Sequence, residues 1–362
     1  MDGALSDCIE RIRGAFAAGT PLRLRGGGSK DFYGEPAGGE VLDTRGLRGI
    51  RSYEPSELVV TVAAGTPLAE LEEVLAREGQ CLPFEPPHFG GGATVGGMVA
   101  AGLSGPARAS VGSVRDYVLG LSMVNGRAEL LTFGGQVMKN VAGYDVSRLM
   151  AGSLGTLGLI VEVSLKVLPR SPAEATLKFE LSQRQALERL NAWGGQPLPL
   201  NASLWVQEPG GPALYLRLRG ARAAVEAACK SLGGEPHDEA VQAAWRACRD
   251  QQLPWFAERG GRDLWRLSLP QTAPALDLPE APLVEWHGAQ RWVSAEAQDA
   301  DRLRRVAAQS GGHATLFRAG PAGSRTQRFH PLQPPLDRIH VELKRQFDPA
   351  GIFNRGRLYP EL

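Results

Sequence analysis

Three glycine-rich stretches carry the residue types and spacings best suited to chemistry. The first, Arg25-Gly26-Gly27-Gly28-Ser29-Lys30, follows directly on Leu22–Arg25, a short strand by pattern. Consecutive glycines let successive backbone N–H groups curl into a concave nest that holds an anion such as a pyrophosphate, and a plain turn accounts for the same residues equally well. Gly27→Glu is then the substitution that sets bulk and negative charge against that anion. The stretch is not a Walker loop, which needs Gly-x-x-x-x-Gly-Lys-Ser/Thr, nor a Gly-x-Gly-x-x-Gly turn opening a long helix.

The second stretch runs Pro86-Pro87-His88-Phe89-Gly90-Gly91-Gly92-Ala93-Thr94-Val95-Gly96-Gly97-Met98-Val99-Ala100-Ala101-Gly102. Two glycine clusters bracket the Thr94 hydroxyl, a spacing that suits backbone amides lining a long, narrow cofactor. An alanine–glycine helix packed tightly on a sheet accounts for the same residues. The third stretch is Lys139-Asn140-Val141-Ala142-Gly143-Tyr144-Asp145, then Gly152-Ser153-Leu154-Gly155-Thr156-Leu157-Gly158. Its Ala151-Gly152-Ser153-Leu154-Gly155 run misses the nucleophile elbow Gly-x-Ser-x-Gly at the first position, which argues against a serine hydrolase.

The elements that must hold these loops alternate. Glu40–Asp43 and the β-branched run 58–64 read as strands. Gly65 then leads into a helix with Thr66 as N-cap, Pro67 at its first position, Leu68, Leu71 and Leu75 on one face and Gly79 as its stop. Tyr117–Val124 and Ala128–Phe133 flank Asn125-Gly126, a hairpin signal. Leu159–Val167 alternates and ends at Pro169. From about 174 to 313 glycines thin out and all seven tryptophans appear. Their spacing suits a core better than a base-stacking surface. Strands are expected at 176–181, 203–207, 213–219, 264–269, 283–286 and 291–293. Helices are expected at 183–193, capped by Ser182 and Gln185, and at 221–232, 238–250 and 296–309. The pattern is α+β, with helices on one face of an antiparallel sheet.

Composition narrows the class. The chain has 362 residues, enough for two domains, and 43% are hydrophobic, enough to bury ordinary cores. Forty Lys+Arg face 39 Asp+Glu, so no charge excess drives nucleic-acid binding. No apolar run approaches the roughly 20 residues of a membrane span, and the first residues lack the pattern of a signal peptide; a cytoplasmic protein is expected. Cys8, Cys81, Cys229 and Cys248 are too scattered for a zinc or iron–sulfur site and read as reduced thiols. The excess is in glycine: 45 residues, sixteen of them between Gly90 and Gly158.

In this order the three stretches, with the ending Phe347-Asp348-Pro349-Ala350-Gly351-Ile352-Phe353-Asn354-Arg355-Gly356-Arg357, resemble the vanillyl-alcohol-oxidase-type (PCMH-type) FAD-binding family, and within it the FAD-binding E subunits of glycolate oxidase. The likeness runs from Leu22 to Leu168 and resumes at His313–Pro360. It implies a PCMH-type FAD-binding domain over 1–172, in two α+β subdomains divided near 82/83. A cap domain over 173–313 and a segment over 314–362 returning to the flavin site complete the arrangement. By similarity Gly26, Gly27, Gly28 and Ser29 hold the pyrophosphate, and Gly91, Gly92, Ala93, Thr94, Gly97 and Gly102 line the ADP and flavin path. Gly155, Gly158 and Ile160 lie near the adenine, and Asn354 near the isoalloxazine. Relatives with covalent flavin often carry His where this chain has Ser29, which implies dissociable, non-covalent FAD.

The resemblance implies oxidation of a small 2-hydroxy acid such as glycolate to glyoxylate, which takes a base for the hydroxyl proton and a cation for the carboxylate. His88, His313 and His330 are the candidate bases, and Arg108, Arg318, Arg325 and Arg328 the candidate cations, with Arg108 and His330 the preferred pair. Catalytic relatives, including the companion D subunit, carry a paired-histidine stretch around Gly-Asp-Gly that this chain lacks. Two roles therefore stand: oxidising substrate itself, or binding FAD as a support or electron relay for a companion flavoprotein subunit. Electrons would leave through an iron–sulfur subunit. The intact glycine loops argue against a scaffold that has lost FAD, and the C-terminal ending against a reductase of cell-wall precursors.

Overall fold

The structure, a computed structural model, describes residues 3–135, 145–237, 240–321, 323–324 and 326–362. Lys139–Tyr144 of the third stretch and Arg325 lie outside the described residues. The chain divides into two units. The first joins Met1–Leu103, Ser113–Pro169 and Pro331–Leu362; the second joins Ser104–Gly112 and Arg170–His330.

The first unit is built on a five-stranded antiparallel sheet in the order Ile50–Glu54, Val59–Ala63, Leu159–Lys166, Val118–Val124, Leu130–Gly134. All five residues of Val59–Ala63 are buried, as an uninterrupted apolar run in a central strand requires. The outer strand Leu130–Gly134 alternates between exposed and half-buried. One sheet thus takes strands from both sides of the subdomain boundary expected at 82/83. The helix Leu68–Arg77 packs Leu68, Leu71 and Leu75 against it, each with no exposed surface. Thr66 does not cap that helix. Its hydroxyl accepts a hydrogen bond from the Gly49 N–H at 2.9 Å, and Pro67 takes the flanking position, where a missing N–H costs nothing.

A second core joins the two ends of the chain. Helix Gly3–Ala18 sets Cys8, Ile12 and Ala15 against Leu22, Leu42, Leu47, Ile352 and Phe353. Leu22–Arg25 pairs in parallel with Glu40–Asp43, and on its other side Leu22 donates to the Ile352 carbonyl at 2.7 Å.

The second unit is an eight-stranded antiparallel sheet, ordered Glu235–His237, Ala173–Glu180, Gly211–Gly220, Leu200–Glu208, Leu283–Glu285, Gln290–Ala295, Asp263–Ser268, His313–Arg318. Helices Gln183–Gly194, Arg222–Leu232 and Ala300–Gln309 cover one face through Leu187, Leu190, Val225 and Leu303. Helix Ala240–Arg249 sets Trp245 on the other face, its indole N–H 3.1 Å from the Thr176 hydroxyl. Six of the seven tryptophans are buried, as core residues. The last strand, His313–Arg318, crosses the cap boundary expected at 313/314, so the chain through His330 belongs to this unit.

Candidate functional site

In the first unit, Leu22–Arg25 delivers the chain into a cleft that is open to solvent. Gly26, Gly27, Gly28, Ser29, Thr94, Gly97, Ala100, Ala101, Leu154 and Asn354 line it, together with Arg23, Arg25, Lys30, Asp31 and Arg357. Among the described residues no acceptor meets the N–H groups of Gly26, Gly27, Gly28 or Ser29. A row of amide donors in a concave, half-exposed turn is a cradle for an anion. Four cationic side chains and one carboxylate among the lining residues give the cleft a positive field of the same sense.

The glycines earn their places by close packing. A Cβ on Gly27 would stand 1.4 Å from the Gly92 carbonyl oxygen, so the first two glycine loops touch backbone to backbone. A Cβ on Gly26 would meet the Thr94 hydroxyl at 2.4 Å, and Gly28, at φ +74°, lies under the Arg25 guanidinium. Gly27→Glu, which the sequence presents as a probe of the bound anion, therefore drives the loops apart before it reaches any ligand.

The latter part of the second stretch is a helix. Val95–Ala101 is capped by Thr94, whose hydroxyl accepts the Gly97 N–H at 3.3 Å, and it ends at Gly102 with φ +65°. A Cβ on Gly96 would come within 2.6 Å of Ala64. The packed-helix reading thus explains Gly96 and Gly102, whereas Thr94 and Gly97 still reach the cleft. Gly91, Gly92, Ala93, Gly102, Gly155, Gly158 and Ile160 do not line it. Gly91 is exposed with nothing near it, while Gly92 packs against Gly27, Gly102 against Gly152, Gly155 (φ +72°) against the Asn354 amide, and Gly158 against Met123 and Val124. Ile160 is buried in the sheet.

Asn354 builds the wall. Its Oδ1 accepts the Leu24 N–H at 2.8 Å and its Nδ2 donates to the Leu154 carbonyl at 2.6 Å. Arg357 works alongside, donating to the carbonyls of Glu35 (2.7 Å) and Asp31 (2.9 Å). Asp31 in turn accepts from Arg23 and Arg25, each at 2.8 Å. These charged residues escape a search for glycine patterns, although Arg25 and Lys30 flank the first loop in sequence.

The expected acid–base residues lie elsewhere. His88 shares a 2.9 Å hydrogen bond with Glu72. Arg108, Arg318, Arg328, His313 and His330 all belong to the second unit. There the Arg108 guanidinium lies 4.5 Å from the Trp286 ring centroid, and its short helix Arg108–Val111 packs on strand Leu200–Glu208. His330 faces His313, with ring centroids 6.4 Å apart, beside the edge strand His313–Arg318. Four strand spacings, roughly 19 Å, separate those two strands, so Arg108 and His330 do not form a pair. Among the described residues no group of three or more His, Cys, Asp or Glu could hold a metal ion, and no helix is long and apolar enough to cross a membrane.

A two-core α+β unit with an amide-lined, cationic cleft defines a flavoprotein of the PCMH type, and the FAD binding domain family matches residues 4–134. The solved structure of alkyldihydroxyacetonephosphate synthase superposes with a TM-score of 0.66 at 16% identity, covering 96% of this chain and 74% of that one, which establishes the fold. Glycolate oxidase subunit GlcE of Escherichia coli (strain K12) is 48% identical over 354 residues, 98% of this chain and 97% of that protein. Glycolate oxidase subunit GlcD of Bacillus subtilis (strain 168) is 31% identical over 43% of this chain and 34% of its own length. The chain belongs to the GlcE family of glycolate oxidase subunits.

Proposed function

We propose that this chain binds FAD non-covalently in the cleft and acts as the FAD-bearing subunit of a complex that oxidises glycolate to glyoxylate. The end-to-end identity to GlcE carries the substrate and the complex. The open amides of Gly26–Ser29 support the place of the pyrophosphate, with Thr94 and Gly97 along the cofactor's path. Gly92 and Gly155 support the lining through their contacts with Gly27 and Asn354, and Asn354 positions the wall. Ser29 offers no ring nitrogen for covalent attachment. FAD, when bound, supplies a hydride acceptor; the chain's own residues bind it, orient it and hold the loops in register.

The partners in this reading are a companion FAD-binding catalytic subunit and an iron–sulfur subunit that takes the electrons. The setting is cytoplasmic, with contact to the inner membrane only through the complex. The missing paired-histidine stretch supports a second role, a flavin support or relay for the companion subunit. An anaerobic visible spectrum of the FAD-loaded chain, before and after glycolate, separates the two. Bleaching of the flavin by glycolate alone assigns oxidation to this chain. A spectrum that stays oxidised until the companion subunits arrive assigns oxidation to them, and failure of the chain to retain FAD at all sinks the proposal.

A further inference from the structure

Asp31 brings a carboxylate into a cleft whose other charged lining residues are Arg23, Arg25, Lys30 and Arg357. The first glycine loop closes on itself there, with the Asp31 N–H donating to the Gly28 carbonyl at 3.0 Å. The Arg25 side chain returns across the loop. A Cβ on Gly28 would meet its Nη2 at 2.1 Å and its Nε at 3.0 Å, and that same Nε donates to Asp31 Oδ2 at 2.8 Å. Arg23, on the same face of its strand as Arg25, brings its Nη2 to this oxygen, also at 2.8 Å. One carboxylate oxygen thus engages two guanidinium groups beside the amide donors of Gly26–Ser29.

The fold has little use for this cluster. The three side chains are 30–40% exposed, and ion pairs so open to water contribute little to stability. The loop has other ties: Arg357 donates to the carbonyls of Glu35 (2.7 Å) and Asp31 (2.9 Å), and Gly27 packs on the Gly92 backbone. What the carboxylate adds is charge. An anion seated on the amides shares the cleft with a like charge, and two of the cations that would attract it already have a partner. Such repulsion is stronger beside protein than in bulk water.

We propose that Asp31 is a built-in counter-charge, which competes with a diphosphate for Arg23 and Arg25 and so limits how tightly the cleft holds its cofactor. The inference rests on the proposed seat of the FAD pyrophosphate at Gly26–Ser29, and it names the residue that keeps the cofactor exchangeable.

The test is equilibrium titration of the full chain, stripped of flavin, with FAD, with ADP and with uncharged adenosine. Asp31→Asn keeps an oxygen to accept from the two arginines and drops the charge. It lowers the Kd for FAD and for ADP about three- to tenfold and leaves that for adenosine unmoved. The gain shrinks in about 1 M salt, where charges are screened within roughly 3 Å. Asp31→Glu, which restores the charge, stays nearer wild type, and Asp31→Ser repeats the test with a second neutral side chain. Melting temperatures of the ligand-free variants report the fold. A Kd for FAD equal to or above wild type in both neutral variants, a change that salt does not touch, an equal change for adenosine, or loss of the fold in both makes Asp31 a structural strap. Each of these overturns the inference and leaves the proposed function standing. A wild-type chain that binds neither FAD nor ADP overturns both.

Discussion

The Lys344 ammonium lies 2.7 Å from the Asp348 carboxylate, one helical turn away, with both side chains buried. Lys344 also donates to the carbonyls of Thr156 and Phe353, each at 2.8 Å. Asp348 accepts the N–H groups of Ile352 (3.0 Å) and Phe353 (2.8 Å). Removing one partner of a buried pair leaves an uncompensated charge, which costs about 3–5 kcal/mol. Lys344→Met therefore lowers the urea midpoint strongly, and the double variant Lys344→Met/Asp348→Leu recovers part of the loss. Equal midpoints for the single variant and wild type would contradict this account of the pair.

The same segment continues to Asn354, whose amide ties Leu24 to Leu154 across the cleft wall. In Asn354→Ala the Leu24 N–H and the Leu154 carbonyl lose their partners, about 1–3 kcal/mol apiece where water cannot replace them. FAD affinity falls at least tenfold, read by flavin fluorescence on titration. Asn354→Asp keeps the acceptor and loses the donor, and it binds FAD more weakly than wild type. A cofactor Kd unmoved by either change would make Asn354 a bystander.

Gly27→Ala asks for a methyl group 1.4 Å from the Gly92 oxygen. The two loops must separate, so the variant purifies with little or no flavin and melts below wild type. Ser29→Ala, which changes only a side chain beside the cradle, keeps most of its flavin because the amide donors remain. Flavin-to-protein absorbance ratios of the purified variants decide the matter.

Burial pushes the His287 imidazole down to about 4 from 6.5. An unfolded histidine takes up a proton below 6.5 that the folded one refuses until about pH 4. Stability is therefore full above pH 6.5 and falls as the pH drops through that window, by roughly 3 kcal/mol for this group. Urea midpoints between pH 7 and pH 4 measure the slope, and His287→Gln removes its share, leaving that of His313, which burial also holds down to about 4. An unchanged slope in that variant would assign the acid sensitivity to other groups.

Local pattern reveals elements well here and their junctions poorly. Leu68, Leu71 and Leu75 announce a buried helical face, and Ser182 with Gln185 form the expected capping box. The hairpin after Val124 is real, but its turn runs from Asn125 to Glu129 with the left-handed residue at Ala128. Gly126 has a different duty, leaving room for Asp348, which a Cβ there would meet at 2.6 Å. Such a requirement is set by a residue more than 200 positions away, so no window of sequence displays it. The first glycine loop is legible because its close backbone packing demands glycine. The seat of Arg108 is hidden because Trp286, more than 170 positions away, stands with His287 at positive φ, which their residue types give no hint of.

The parallel contact of Leu22 with Phe353 and the hydrogen bond from Leu24 to Asn354, 330 positions apart, have a temporal consequence. A nascent chain that has emerged through residue 330 already displays both glycine loops. It still lacks the strand partner, the wall amide and the Lys344–Asp348 latch, and closing a loop of that span waits on all three. If the cleft holds FAD as proposed, cofactor loading follows synthesis of the C-terminal segment. Bound flavin would then be a signature that the chain was read through Asn354, and a fragment cut short before it would emerge without a completed cleft.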